Sequence, residues 1–337
     1  MPPLTDRLKR PLEDLRISVT DRCNFRCVYC MPKEIFGTAF QFLPRQDLLT
    51  FEEITRLGHI FADLGVQKIR LTGGEPLVRK GVETLVAELA RIPGIKEVAM
   101  TTNGSLLTQE RAKELRNAGL KRVTVSLDSL NDSTFQIIND VDFPVLRVLE
   151  AIDHAHAAGL SPIKINMVVK RGVNDQDIVP MAEHFRHTGH ILRYIEYMDV
   201  GTANGWRLDD VVPAFEIVAA VSAHWPLDPV APERAGDVAA RFRYRDGAGE
   251  IGIISSVSQP FCTNCSRARL SPEGRLYLCL FGQSGYDLRA LLRGGKTDTA
   301  VRGVIERIWT GRQVRYSEER RQDTVGLPKV EMFRIGG

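Results

Sequence analysis

Six cysteines form the most specific pattern in the chain, and they fall into two groups of three. Cys23, Cys27 and Cys30 follow C-x3-C-x2-C within "DRCNFRCVYC". Cys262, Cys265 and Cys279 follow C-x2-C-x13-C within "FCTNCSRARLSPEGRLYLC". An even number of cysteines could form a disulfide framework, but such frameworks belong to small secreted domains, not to a long chain of this kind. Structural zinc wants four ligands, and each group supplies three. None of the seven histidines lies inside either group. Thiolates also hold iron–sulfur clusters, usually four per cluster. Three would leave one iron without a protein ligand. An open position on a metal is where a substrate or cofactor can bind.

Such chemistry needs a scaffold. At 337 residues, 43% of them hydrophobic, the chain is long enough for about two domains with sizeable cores. Its net charge of +3 argues against a broad nucleic-acid-binding face. An anion site must therefore come from a few placed arginines. The opening "MPPLTDRLKRPLEDLR" lacks the apolar run of a signal peptide. No stretch approaches the ~18 apolar residues of a membrane span. The expected location is the cytoplasm, with neither nucleic acid nor membrane as partner.

Alternating segments recur at 15–19, 68–73, 97–102, 122–127, 162–169 and 191–198. Helical patterns lie between them. In "FEEITRLGHIFADLG", Ile54, Leu57, Phe61 and Leu64 share one face behind a capping box of Thr50 and Glu53. Gly119 and Gly159 close two further helices. Strands alternating with helices predict an α/β fold with a parallel sheet. Six βα units are too few for an eight-stranded barrel. The expected architecture is an incomplete (βα)6 barrel of the TIM type. A proline-rich stretch, "HWPLDPVAPE" at 224–233, reads as the linker between a first domain, 1–227, and a second, 228–337.

Parallel strands are usually apolar on both faces. These are not. Leu15, Ile17, Val19, Ile69, Leu71, Val123, Val125, Ile163 and Ile165 should meet the helices. The opposite parity carries Arg16, Ser18, Arg70, Thr72, Thr101, Asn103, Thr124, Ser126, Lys164, Asn166, Glu196 and Met198. This predicts a polar, cationic lumen, because Arg16, Arg70 and Lys164 would otherwise need buried partners. Arg267 and Arg269 alternate across Ala268, so on a strand they too point one way. Arg312, Arg315, Arg320 and Arg321, with no cysteine or glycine turn beside them, read as a solvated basic face. "TGGEP" (72–76) ends the second strand, where parallel sheets bind ligands, and its glycines allow close backbone approach.

C-x3-C-x2-C after the first strand, with GGE after the second, resembles the radical S-adenosylmethionine (SAM) superfamily. The resemblance implies a [4Fe–4S] cluster on Cys23, Cys27 and Cys30, whose fourth iron chelates SAM. It also implies cofactor contacts from Tyr29 to the adenine, from the backbone around Gly73, Gly74 and Glu75 to the methionine amino group, from Ser126 to the ribose, and from Met198 near the adenine. The C-terminal cysteines and the ending "MFRIGG" are similar to the GTP 3′,8-cyclase family of molybdenum cofactor biosynthesis. That similarity implies a second [4Fe–4S] cluster on Cys262, Cys265 and Cys279, whose open iron meets the guanine of GTP. It maps substrate contacts onto Arg16, Arg70, Thr101, Lys164, Arg267, Ala268 and Arg269. It brings the Gly336-Gly337 tail into the active site, where the tail or Arg16 could assist catalysis.

The implied reaction begins with reduction of the first cluster by an external electron donor. SAM is cleaved to a 5′-deoxyadenosyl radical, which takes the ribose 3′ hydrogen, and the sugar radical closes onto C8 of guanine. In the family a cyclic pyranopterin monophosphate synthase consumes the product, and the enzyme is a homodimer. Two other readings compete. A radical SAM peptide-modifying enzyme would usually carry more C-terminal cysteines. A zinc-stabilised RNA-binding module would expose stacking aromatics, and aromatic residues make up only 7% of this chain.

Overall fold

The computed structural model describes residues 3–234, 236–321 and 326–336. Six βα units come first. Their strands are β1 (Asp14–Ser18), β2 (Lys68–Thr72), β3 (Glu97–Thr102), β4 (Arg122–Ser126), β5 (Lys164–Val169) and β6 (Ile191–Glu196). They lie in sequence order and pair in parallel. Chain beyond β6 then extends the sheet at both edges. β9 (Glu250–Ile254) joins β6, and β10 (Arg267–Leu270) joins β1, both in parallel. Antiparallel strands finish each side: β8 (Ala240–Tyr244) and β7 (Leu227–Val230) beyond β9, β11 (Arg275–Tyr277) and β12 (Tyr286–Asp287) beyond β10. The sheet has two free ends, so the barrel is unclosed.

The strand parity explains the core. Leu15, Ile17, Val19, Ile69, Leu71, Val123, Val125, Ile163 and Ile165 are all fully buried, in one cluster with the helices. The helix Phe51–Asp63 supplies Ile54, Leu57 and Phe61 to it. Its capping box forms as expected. Thr50 Oγ1 accepts from the Glu53 N–H at 3.2 Å, and Glu53 Oε2 accepts from the Thr50 N–H at 2.8 Å. Gly119 and Gly159 stand just past their helices with φ of +106° and +77°, the left-handed region glycine tolerates.

Two details differ from expectation. The stretch at 224–233 is not a free linker, because it contains β7. Pro229 is tolerated there because β7 is an edge strand. The second difference is in β6. Glu196 does not face the lumen. Arg193 and Ile195 do, and Glu196 points outward. Its carboxylate accepts the N–H groups of Ala214, Val257 and Ser258, each at 2.8–2.9 Å, and the Ser258 hydroxyl. It thereby ties the helix Ala214–His224 and the loop after β9 to the end of β6. Met198 still reaches the lumen, because the backbone leaves strand geometry after Glu196.

Glu196→Ala should therefore act as a stability lesion. It strands the buried Ala214 N–H and the part-buried N–H groups of Val257 and Ser258, so unfolding free energy should fall by about 2 kcal/mol, read as a lower urea midpoint.

Candidate active site

The first cysteine trio sits on the loop that leaves β1. Cys27 folds a single turn, its carbonyl accepting the N–H groups of Cys30 (2.9 Å) and Met31 (2.8 Å). Cys23 Sγ accepts the Phe25 N–H at 3.4 Å, and Asn103 Nδ2 lies 3.8 Å away. Burial pushes the Cys23 thiol up to about 12. It raises Cys27 and Cys30 as well, and the neighbouring thiols add to that rise. Three mutually repelling buried thiolates need a cationic centre, which is what a metal cluster supplies. The donor set fits one.

The GGE turn presses against this loop backbone to backbone. The Gly74 and Glu75 N–H groups donate to the Thr20 and Arg22 carbonyls at 2.8 and 2.9 Å. Gly73 has φ +146°, and a Cβ there would lie 2.4 Å from the Thr20 carbonyl oxygen. A Cβ on Gly74 would lie 2.2 Å from the Arg22 oxygen and 3.0 Å from the Cys23 nitrogen. Both glycines are thus demanded by the fit to the cysteine loop. Glu75 is buried and accepts from Leu77 N, Asn103 N and Thr102 Oγ1 at 2.7–3.0 Å. Burial pushes its carboxyl up to about 7 despite those bonds.

Tyr29 and Met198 are brought together by a residue the sequence did not flag. Asn204 Nδ2 bonds the Met198 carbonyl at 3.1 Å and reaches the Tyr29 carbonyl at 3.5 Å. The Tyr29 hydroxyl donates to Asp128 Oδ2 at 2.8 Å, and Asp128 Oδ1 accepts the Val168 N–H at 2.8 Å. Burial pushes Asp128 up to about 6 against those bonds. Ser126 stands two residues earlier, half-buried at the end of β4 and in register with Asn166.

The second trio lines a cavity with the lumen cations. Cys262 and Cys265 share a turn, the Cys265 N–H donating to the Cys262 carbonyl at 3.2 Å, and Cys279 follows β11. Arg16, Arg70, Thr101, Arg267 and Arg269 line the same cavity, as does Met198. Register makes this arrangement unusual. Arg16 pairs across the sheet with Arg70 on one side and Arg269 on the other. Three guanidiniums thus stand side by side, a costly arrangement for like charges. Burial, then Arg269, Arg267 and Arg70, pull Arg16 well below its ordinary value. Among the described residues the Arg70 head hydrogen-bonds to neutral groups, Thr101 Oγ1 at 3.2 Å and Thr124 Oγ1 at 3.0 Å, while the Asp14 and Glu97 carboxylates act on it without a direct ion pair. Ala268 is fully buried on the outward parity, so only its backbone can meet a ligand.

Towards the amino-terminal ends of the strands the same lumen gains Lys68, Arg122, Lys164 and Arg193. Lys68 and Arg122 share Glu97, at 3.5 and 2.8 Å. Burial, then Arg193, Arg122, Lys68 and Arg70, pull Lys164 down to about 7. Burial followed by Arg70 pulls Arg193 to about 9. Arg193 is not legible from the alternation, because β6 runs with the opposite parity to the one that Glu196 and Met198 suggest.

The chain's end enters this space. Arg269 Nη1 donates to the Ile335 carbonyl at 3.1 Å and to that of Gly336. Gly336 is buried with φ +70°, and a Cβ there would lie 2.2 Å from Thr72 Cγ2. Gly337 lies outside the described residues. Arg312 and Arg320 are not a solvated face. Arg312 is buried against Cys265, and Arg320 pairs with buried Asp199 at 2.9 Å. Arg315 and Arg321 are exposed. Burial pushes the Cys265 thiol up, but Arg267 and Arg312 outweigh it and bring it to about 5.

The sequence profile described as "Radical SAM superfamily" matches residues 17–185, and the one described as "Molybdenum Cofactor Synthesis C" matches 190–318. A GTP 3′,8-cyclase of Acidothermus cellulolyticus is 57% identical, over 96% of this chain and 90% of its own. One of Staphylococcus epidermidis is 47% identical over 99% of each. The chain belongs to the GTP 3′,8-cyclase family, within the radical SAM superfamily. In fold it is similar to Streptococcus suis SuiB bound to S-adenosylmethionine, with a TM-score of 0.61 at 14% identity, covering 92% of this chain and 68% of that one. The superfamily's cofactors are a [4Fe–4S] cluster and SAM. Among the described residues no helix is long and apolar enough to cross a membrane.

Gly74→Ala should show what the glycine contact is for. Its Cβ must push the Arg22–Cys23 backbone away. We expect SAM affinity to fall about tenfold or more, equivalent to about 1.4 kcal/mol, with unchanged far-ultraviolet circular dichroism. Unaltered affinity would show that the two loops need not touch.

Proposed function

We propose that this chain converts GTP to 3′,8-cyclo-7,8-dihydro-GTP, the opening step of molybdenum cofactor biosynthesis. What supports it most directly is the register row Arg269–Arg16–Arg70 beside the second cysteine trio. Adjacent buried cations of this density need a polyanion, and a triphosphate supplies one. Family membership supplies the purine and the reaction.

The division of labour follows the two trios. Residues 1–227 hold the SAM-binding cluster on Cys23, Cys27 and Cys30. Tyr29, Gly73, Gly74, Glu75, Ser126 and Met198 surround the cofactor. Residues 228–337 supply Cys262, Cys265 and Cys279 for a second [4Fe–4S] cluster that meets the guanine. A reduced cluster and SAM held by these residues would supply the radical chemistry needed for hydrogen abstraction from the ribose. The protein's part is placement. Arg16, Arg70, Arg267 and Arg269 grip phosphate oxygens, Thr101 orients Arg70, and Lys164 and Arg193 deepen the positive end. Arg16, central in the row, is the side chain assigned to assist at the substrate. Gly336, held by Arg269 beside Thr72, fills the lumen and keeps water from the reacting centre. Gly337 is assigned an assisting role from family membership alone. An external reductant, a second copy of the chain as dimer partner, and a downstream cyclic pyranopterin monophosphate synthase complete the proposal.

The test is anaerobic incubation of reconstituted protein with SAM, dithionite and GTP. The proposal expects 5′-deoxyadenosine in an amount that depends on GTP, and a GTP-derived cyclised product. Equal 5′-deoxyadenosine with and without GTP would overturn it and favour a peptide substrate.

Lys164 gives this site a pH signature. In the free protein Lys164 loses its proton near pH 7 and Lys68 near 8, both lowered chiefly by burial. A bound triphosphate favours the charged amines and raises both values. Binding therefore takes up protons, and GTP affinity should fall as pH rises from about 7 to 9. Lys164→Met should bind more weakly at pH 6.5 and show a shallower fall. Isothermal titration in two buffers of different ionisation enthalpy measures the proton uptake directly.

A further inference from the structure

A buried charge cluster outside the lumen lies behind the second cysteine trio. The N-terminal arm contributes Asp6 and Arg10, and the loop after the helix Asp298–Thr310 contributes Arg312. All three are at most 5% exposed. Asp6 accepts from Arg10 Nε at 2.6 Å and from Arg312 Nη1 at 3.4 Å. It also caps the arm's own turn through the N–H groups of Leu8 and Arg10, both at 2.9 Å.

Both guanidiniums are aimed at the cysteine turn. Arg10 Nη1 donates to the Cys262 carbonyl at 2.9 Å. Arg312 Nη1 donates to the Cys265 carbonyl at 2.7 Å, and its Nη2 to Cys265 Sγ at 3.1 Å. Two buried cations share one carboxylate, which leaves one positive charge over. Arg10 Nη2 and Arg312 Nε have no acceptor among the described residues. Burying such a charge is expensive unless something negative faces it. Besides its share of Asp6, Arg312 faces the Trp309 ring, 4.5 Å from its guanidinium carbon, and the sulfur of Cys265.

A charged N–H donor on a cluster sulfur stabilises the electron-rich, reduced form more than the oxidised one. We propose that Arg312, held in place by Asp6 and the N-terminal arm, sets the reduction potential of the second cluster, keeping it more positive than three cysteines alone would give. Asp6 moderates that effect by drawing off part of the Arg312 charge. Arg312 is thus a positioning and tuning residue, not one that touches substrate. The inference rests on the reading of Cys262, Cys265 and Cys279 as a second cluster.

The two side chains should act with opposite signs, which a purely structural role would not produce. The measurement is an electron-paramagnetic-resonance redox titration of anaerobically reconstituted full-length protein, without SAM or GTP, alongside iron analysis. Arg312→Met should retain about eight irons per chain and move the second cluster's midpoint to more negative potential. Asp6→Asn, whose amide still caps Leu8, should move it to more positive potential. The first cluster's midpoint should stay put in both. Arg312→Lys, which keeps the charge, should fall between Arg312→Met and the parent. If Arg312→Met sheds the second cluster, Asp6→Asn and Arg312→Lys decide the matter. Midpoints that do not move, or that shift in the same direction for Asp6→Asn and for whichever Arg312 variant keeps its cluster, would overturn the inference while leaving the second cluster in place. About four irons in the parent protein itself would instead remove the cluster reading on which it stands.

Discussion

The structure turns on positive charge that it cannot neutralise by itself. Arg269, Arg16 and Arg70 stand on three adjacent parallel strands at one level, with Arg267 and Lys68 flanking Asp14 at the level below. Side chains on one face of a sheet at one level are nearest neighbours. Such a row destabilises the fold unless an anion fills the space between the heads. The arrangement also limits the rest of the barrel. On the strands that carry the row the helix-facing parity is apolar, which offsets the cost: Leu15, Ile17, Ile69, Leu71 and Leu270 are all fully buried. One strand parity makes the stability and the other spends it on binding.

The open barrel follows from the same constraint. A closed ring of eight strands fills its interior with branched apolar side chains. Here β10 and β9 add parallel strands without closing the ring, and the antiparallel hairpins beyond them stay at the edges. The lumen keeps room for a substrate. It also gains walls from distant chain: β10 brings Arg267 and Arg269 next to β1, about 250 residues away in sequence. A pocket built from both ends of the chain exists only once the whole chain has folded.

Much of this was legible because period-two alternation is a local property. The six strands, the capping box at Thr50, the helix-closing glycines and the inward parity of Arg16, Arg70 and Lys164 could all be read from neighbours a few residues apart. Parity failed where strand geometry failed. Glu196 and Met198 look equivalent in "ILRYIEYM", yet the strand ends at Glu196, whose carboxylate serves three outward N–H groups while Arg193 turns in. Other misses were long-range. Arg312 resembles any arginine in a basic run until the fold carries it to Cys265, 47 residues earlier. Asp128 and Asn204 are ordinary loop residues until Tyr29 reaches them. The glycines of GGE were legible as a place of close approach, but the partner, the backbone of the cysteine loop, was not.

The loop after β6 deserves its polar composition for a reason that joins the two ends of the site. Met198 lines the lumen, and the next residue, Asp199, is buried and holds the C-terminal segment. Its carboxylate takes Arg320 at 2.9 Å, Lys329 at 2.9 Å and the Tyr316 hydroxyl at 2.5 Å. Three residues on, Thr202 holds Glu331 through its N–H (2.9 Å) and hydroxyl (3.0 Å). Asn204 of the same loop reaches back to Tyr29. Phe333, just beyond Glu331, packs with Met31 and Phe36 behind the first cysteine trio, which leads Gly336 to Thr72. Residues 198–204 therefore touch the cysteine loop, a lumen wall and the tail at once. A chain end is normally the first part to fray. Here a buried carboxylate clasp at Asp199 and a more exposed one at Glu331 hold it, so the order of the tail and the order of the first site depend on the same seven residues.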